Sequence, residues 1–418
     1  MKRARLLFAG VLSVLTLLLA GGLVWQNLSD QPAGDGQSAD RPPDASILVI
    51  AAPALEPWLR AAAAEFNATR PEQDEVRFEV QIVAMAGLTA LGRWDDSNLG
   101  GTHGNKSSEP ADRRGQGDFL TEPAAWIPET SALVEMADDI FGSQQKPSPF
   151  QADGPFLTRS VAMSPLAWGF YRSRGIALQE NLGEISWDAL RTAAAAPTGW
   201  KELGGDAAWG YFELAIPDPR YNAAGLAAMT AAAGEYYGRA RVSVDDIADP
   251  LFQSWLASIL DGANGAGGLN ALTAEEFALF GPAAGDGGLF IESELLRRAA
   301  GIKERWKDPL LIRYPKIPTW FDFPFAIWAG PETSDFQQRA ALAFRSFLLS
   351  EPQQRETTVF GLRPASTGIP LTAADESLFL RSQNLGVRHE HPRTEAAPFP
   401  RPEALLALLN WYDQIAGQ

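Results

Sequence analysis

The stretch SILVIAAP (residues 46–53) is apolar after Ser46 and is followed at once by ALEPWLRAAAAEFNATRP (54–71). An unbroken apolar run of this length reads as a strand buried on both faces, the habit of parallel sheets. In the second stretch Leu55, Trp58, Leu59, Ala62, Ala63 and Phe66 recur at spacings of three and four, an amphipathic helix ended before Pro71. VRFEVQIVAM (76–85) then reads as a strand and GLTALGRW (87–94) as a short helix. The order strand, helix, strand, helix requires an α/β unit built on a parallel sheet.

Further along, AAWIP (124–128) reads as a strand, ETSALVEMADD (129–139) as a helix and FLTRSVAMSPLAWGFYR (156–172) as a long extended segment. A second region carries the helix SWDALRTAAA, the strand YFELAIP, the alanine-rich helix NAAGLAAMTAAAGEYYG, one long helix VDDIADPLFQSWLASILDGA and the helix SELLRRAAGIKERW. The strand PLLIRYP and a second extended segment, TWFDFPFAIWAG (319–330), come next, and closing helices end the chain. This layout predicts an α/β protein of two lobes joined by two crossover strands, each lobe a sheet flanked by helices. The expected divisions are lobe 1 over 46–160, lobe 2 over 161–318, and a second crossover with return to lobe 1 over 319–418. Residues 95–118 are Gly- and Ser-rich without apolar periodicity and predict an exposed, disordered insertion.

The N-terminus places the chain relative to a membrane. Lys2, Arg3 and Arg5 precede Leu6–Trp25, a segment without a charge. Its length reaches the ~20 residues of a spanning helix and exceeds the ~7–15 of a secretory apolar region. A signal anchor or a cleaved signal peptide over 1–28 would in either case export residues 30–418, and 29–45 reads as a flexible linker. Formal net charge is −16, from 35 Lys and Arg against 51 Asp and Glu. Such a surface repels phosphate backbones, which argues against a nucleic-acid partner. There is no cysteine, which removes disulfides, thiol nucleophiles and a lipid-modified N-terminal Cys.

Six ordered segments carry a family resemblance: ILVIAAPALEPWLRAAAAEFNA, AWIPETSALV, SPLAWGFYR, PDPRYNAAGLAAM, YPKIPTWFDFPFAIWAG and ALAFRSFLLSEPQQRETTVFGLRPA. Together they resemble the type 2 extracellular solute-binding proteins, the binding components of bacterial ABC importers. The resemblance implies two lobes with a ligand cleft between them, an ABC permease as partner, a sugar or other polar solute as ligand, and a monomer. The chain departs from the family at Tyr221-Asn222, where a small hydroxyl residue is expected, and at the 95–118 insertion.

Candidate ligand-binding residues lie where helix N-termini meet strand ends. In PDPRYN, Pro217 and Pro219 stiffen the backbone around Asp218, and Asp218, Tyr221 and Asn222 are expected to face the cleft; Asn222 is equally a helix cap, and Gly225 admits a close approach. Ser131, with Thr130, comes after the strand AAWIP and is either a ligand contact or a cap. Ser164 on the first crossover is expected to be exposed to the cleft. Glu292 is either a ligand contact from lobe 2 or a solvated acid at a helix start. Trp320 and Asp322, flanking Phe321 on the second crossover, join an aromatic face to a carboxylate, which suits sugars and cations, although Trp320 also reads as lobe packing.

Catalytic signatures are missing: there is no Gly-x-Ser-x-Gly, Walker A or His-Glu-x-x-His. His389 and His391 lack a third ligand, and His103 lies in the insertion, so neither metal nor cofactor is expected. The chain reads as a binder, not an enzyme. The alternatives are an anchored sensor or adaptor that binds a protein partner and, more remotely, an extracytoplasmic enzyme acting on glycans.

Overall fold

A computed structural model describes residues 43–94, 123–151, 153–263, 273–390 and 399–416. From Asp44 on they belong to the compact unit Asp44–Gln418. The expectations for Leu6–Trp25, for 95–118, for His103 and His391, and for all but the end of the linker 29–45 lie outside the described residues. Among the described residues no helix is long and apolar enough to cross a membrane.

The strands in chain order are β1 (Ala45–Ala51), β2 (Glu72–Gln73), β3 (Val76–Ala84), β4 (Ala125–Ile127), β5 (Arg159–Ser160), β6 (Ala162–Tyr171), β7 (Leu214–Ala215), β8 (Gly287–Ile291), β9 (Leu310–Arg313), β10 (Trp320–Phe321), β11 (Pro324–Ile327) and β12 (Arg363–Pro364). The helices are α1 (Glu56–Ala68), α2 (Gly87–Trp94), α3 (Ser131–Ser143), α4 (Arg172–Leu182), α5 (Trp187–Ala194), α6 (Ala223–Tyr237), α7 (Val244–Ala248), α8 (Pro250–Ala263), α9 (Ala274–Phe280), α10 (Glu292–Trp306), α11 (Asp335–Leu348), α12 (Glu351–Glu356), α13 (Leu378–Arg381) and α14 (Pro402–Ala416).

Two sheets form. The first has the order β2-β3-β1-β4-β11-β5; the second is β10-β6-β8-β7, with β9 and β12 also paired to β6. Strand β1 runs parallel to β3, from Ala45 opposite Phe78 to Ala51 opposite Ala84, and parallel to β4 on its other side. It is a central strand, and Ile47, Val49, Ile50 and Ala51 are buried. Helix α1 covers the sheet with Trp58, Leu59, Ala62, Ala63 and Phe66, as its period requires. The ring of Phe66 meets Phe344 of α11 at 5.3 Å and Phe78 of β3 at 6.0 Å. Helix α11, which follows the second crossing, therefore returns to pack on the first sheet.

In the second lobe α6 is buried along Ala223–Gly234 on every side. A helix apolar all round belongs in a core, and its alanines let it pack close to β6, β8 and α8. Two elements differ from the sequence expectations. The single helix predicted across 244–263 is broken at Asp249, whose backbone is extended (φ −63°, ψ 117°), because Pro250 bars the helical region to the residue before it. Strand β8 (GGLFI), paired on both sides within the sheet, opens on two glycines and has one β-branched residue, a weak strand signal, and the sequence reading does not contain it.

Candidate functional site

Two short segments pass directly from a strand of one sheet to a strand of the other: β5 into β6 through Val161, and β10 into β11 through Asp322 and Phe323. They meet where the Val161 amide donates to the Phe323 carbonyl at 3.1 Å and the Phe323 amide donates to the Glu129 carbonyl at 3.3 Å. The registers set which sheet edges face this crossing. Leu166, near the start of β6, sits opposite Ile291, the last residue of β8. Ala326 of β11 sits opposite Trp126 and Ile327 opposite Ala125, so the start of β11 lies toward the end of β4. The carboxyl ends of β4 and β8 thus both point at the crossing from opposite sheets. Helices α2, α3, α6 and α10 begin at such ends and bring their unpaired amides toward it.

Each of these helix starts is met by a side chain of the chain itself. At α3 the Ser131 amide donates to Asp322 Oδ1 at 2.8 Å, and the Ser131 hydroxyl donates to Oδ2. The Ser160 hydroxyl adds a weaker bond to the same oxygen at 3.4 Å. Thr130 is the N-cap, its hydroxyl oxygen accepting from the Ala132 amide. The carboxylate is aimed by a strained neighbour: Phe323 is fully buried with φ 36°, a region a bulky side chain rarely occupies.

At α2 the Gly87 amide donates to the Glu129 carboxylate at 3.0 and 3.3 Å. Gly87 is required by this approach, since a Cβ there would lie 2.5 Å from Glu129 Oε2. Glu129 is 5% exposed. Burial pushes its carboxyl up to about 7; the amide bonds oppose this, and Glu294 of α10, in the other lobe, adds to it. Glu129 sits inside AWIPETSALV, yet nothing local in that segment reveals that its carboxylate turns back onto Gly87.

At α6 the Asn222 side-chain oxygen accepts from the Ala224 amide at 2.8 Å, so Asn222 is a cap. Asp218 does not present a free carboxylate: it is 3% exposed and held bidentately by Arg220, with Nη2 to Oδ2 at 2.6 Å and Nε to Oδ1 at 3.0 Å. Tyr221 is 49% exposed, with the Arg220 guanidinium 5.5 Å from its ring. The close approach expected of Gly225 is to the elbow's own backbone, where a Cβ would sit 2.0 Å from the Pro217 carbonyl oxygen.

At α10 the Ser293 amide donates to the Ser164 hydroxyl oxygen at 3.1 Å, and Ser164 is fully buried rather than exposed to a cleft. Glu292 is also fully buried, which corrects the expectation of a solvated acid. It accepts two bonds from Arg363, at 2.7 and 2.9 Å, and one from the Tyr314 hydroxyl. Burying a carboxyl group without a partner is costly, and the bonds from the Arg363 guanidinium offset that cost. Arg363 also donates to the carbonyls of Arg388 and His389 and lies 5.6 Å from the ring of Trp320, which is buried in lobe packing. Arg220, Arg363, Tyr314 and Glu129 are the residues that sequence reasoning did not single out.

No family model matches the chain, and no curated protein matches it. Solved structures do match. The maltose-bound MalE3 of T. maritima superposes with a TM-score of 0.52 at 13% identity, over 89% of this chain and 100% of the other. The GacH receptor of Streptomyces glaucescens GLA.O, solved unliganded and with acarbose, superposes with a TM-score of 0.51 at 15% identity, over 90% and 99%. The chain has the two-lobed periplasmic-binding-protein fold. In that fold the crossing described above is the junction between lobes. Of the eight residues predicted as ligand contacts, Asp322 and Ser131 meet at the crossing, Ser164, Asp218, Glu292 and Trp320 are buried, Asn222 caps a helix and Tyr221 is exposed.

Proposed function

We propose that the chain captures a small polar solute between its two lobes, by hinge motion about the two crossing segments, and delivers it to an ABC-type permease. The observation that carries this reading is the convergence of the carboxyl ends of β4 and β8 on the junction crossed by β5–β6 and β10–β11. Such a junction permits lobes to rotate as bodies, and closure is then driven by contacts a solute makes with both. The likeness of fold to structures solved with maltose and with acarbose supports the same reading.

The class of solute is argued from the helix starts. An oxyanion would need bare amides, but α2 and α3 already receive Glu129 and Asp322. Acceptor oxygens already seated on these amides favour hydroxyl and ammonium donors, so a sugar, polyol or amine suits this junction and a sulfate-like dianion does not. The apolar N-terminal segment would hold the monomeric chain at the membrane as an anchor, or direct its export if cleaved, and the chain would act as a binder without chemistry of its own.

The test is a thermal-shift screen of the purified protein against neutral, cationic and anionic solutes. A solute at ~100 times its Kd stabilises the folded state by ~2.7 kcal/mol. A hit among sugars, polyols or amines is expected. Silence from every class would end the transport reading, and a hit confined to oxyanions would end the proposed selectivity.

A further inference from the structure

Helix α9 ends in two large apolar side chains that face solvent. Leu279 is 45% exposed and Phe280 is 44% exposed, and among the described residues they are the one pair of large exposed hydrophobics adjacent in the chain. The stretch Phe277–Gly285 carries no charge. The packing of α9 does not use the pair: Ala274 and Phe277 are its buried residues, and a capping box between Thr273 and Glu276 starts the helix. The turn beyond is held firmly. Gly281 has φ 66°, and a Cβ there would lie 2.3 Å from the Trp306 ring. The Trp306 indole donates to the Ala278 carbonyl at 2.9 Å, so the apolar tip is fixed to the last turn of α10. Single exposed apolar groups are ordinary on a protein surface, and what sets this tip apart is what surrounds it.

The end of α10 is basic. Lys303, Arg305 and Lys307 are exposed, and among the described residues none of the three is ion-paired. The Arg305 guanidinium lies 5.5 Å from the Trp306 ring. Most acids nearby are engaged: Glu275 faces Arg298 at 3.3 Å, Glu276 accepts from the Thr273 amide at 2.7 Å, and Asp308 accepts from the Ser173 amide and hydroxyl. Glu304 is exposed among the cations. Basic groups in a last turn suit the helix dipole, but the dipole does not account for the apolar pair beside them. Cations flanking an apolar tip match an anionic bilayer, whose headgroups meet the cations and whose acyl boundary receives the apolar side chains. On a chain of net charge −16 such a face is a local exception. A bilayer is also within reach. Residues 26–42 separate the apolar segment Leu6–Trp25 from the described unit, and at full extension they span at most about 60 Å.

We propose that the Leu279–Phe280 tip, flanked by Lys303, Arg305 and Lys307, docks on the anionic lipid surface of the membrane that holds the chain. The contact goes beyond solute capture, and it rests on the N-terminal segment being retained as an anchor. It sets which face of lobe 2 meets the bilayer.

The chain has no cysteine, so a single environment-sensitive fluorophore can be placed through Leu279→Cys without background. The full chain is reconstituted into nanodiscs of phosphatidylcholine alone or of an equimolar mixture with phosphatidylglycerol. The label should report a dry site on the mixture and a wet one on phosphatidylcholine, while a label at the exposed Arg60 of lobe 1 stays wet on both. Lys303→Gln, Arg305→Gln and Lys307→Gln should each move the dry-to-wet ratio about fivefold toward wet, the factor for one cation at an anionic surface. All three positions are exposed, so the fold tolerates the changes, and circular dichroism verifies it. Salt raised from about 0.1 M to about 1 M should act in the same direction. A label equally wet on both compositions would overturn the contact, as would variants that leave the ratio unchanged. A full chain that co-elutes with neither disc would remove the anchor on which the contact rests, and solute binding by thermal shift would survive either failure.

Discussion

Asp322 and Ser131 stand 191 positions apart in the chain and meet at 2.8 Å, carboxylate oxygen to backbone amide. The contact ties the second crossing segment to the first turn of α3 and places a fixed negative charge where the helix dipole is positive. Bonds to a charged acceptor contribute about 1.5–3 kcal/mol each. Asp322→Ala removes more than one such bond and should lower the unfolding free energy by at least about 1.5 kcal/mol in urea denaturation, with the m-value unchanged. Asp322→Asn should lose less, because its amide oxygen can still accept from Ser131.

Glu129 gives the fold a pH dependence of definite sign. Burial raises its carboxyl from the ordinary 4.5 to about 7 in the folded state. Between those values the folded chain holds more protons than the unfolded one, so this group's contribution is fully present below about pH 4.5 and is lost as pH rises through about 7. At ~1.4 kcal/mol per pH unit the effect is bounded at roughly 3 kcal/mol. Glu129→Gln keeps an acceptor for the Gly87 amide and should flatten this slope, leaving the variant more stable than wild type at pH 8 and about equal at pH 4.5. Denaturation midpoints across that range measure it.

The buried Glu292–Arg363 pair should behave asymmetrically. Removing one partner strands a charge with 0% exposure on the glutamate side, and such losses run about 3–5 kcal/mol. Glu292→Leu with Arg363→Met replaces both by apolar groups and should lose much less than the sum of the single changes. A double-mutant cycle by guanidinium denaturation gives the coupling.

At the elbow, Asn222 and Gly225 separate by chemistry. Asn222→Ala removes a cap and should lower stability by about 1 kcal/mol, while Asn222→Ser keeps one. Gly225→Ala drives a Cβ into the Pro217 carbonyl at 2.0 Å, a backbone contact that cannot rotate away. Overpacking of this kind amounts to about 1–3 kcal/mol, read as a lowered midpoint in thermal denaturation.

Much of the fold is legible because it is local. The apolar run of β1, the three-and-four spacing of α1 and the two extended crossings announce themselves in consecutive residues. The break at Asp249 is equally local, since Pro250 dictates it, and the helical period on either side masks it. The site is legible only in part. Ser131, Asp322, Asn222 and Ser164 stand out as polar residues at strand ends, but whether such a residue serves a ligand or a helix start depends on what the fold brings to it. The partner of Glu292 lies 71 positions away and that of Asp322 lies 191 away, distances over which no periodicity carries information. Gly87 marks the opening of α2, and only the folded chain shows that Glu129 needs the missing Cβ.

The measurement that bears most directly on capture between two lobes is small-angle scattering of the protein with and without a solute found by thermal shift. The account predicts a smaller radius of gyration on binding, with the scattering curve fitted by rigid lobes rotated about the Val161 and Phe323 crossing. A solute that binds and stabilises while leaving the scattering curve unchanged would contradict it.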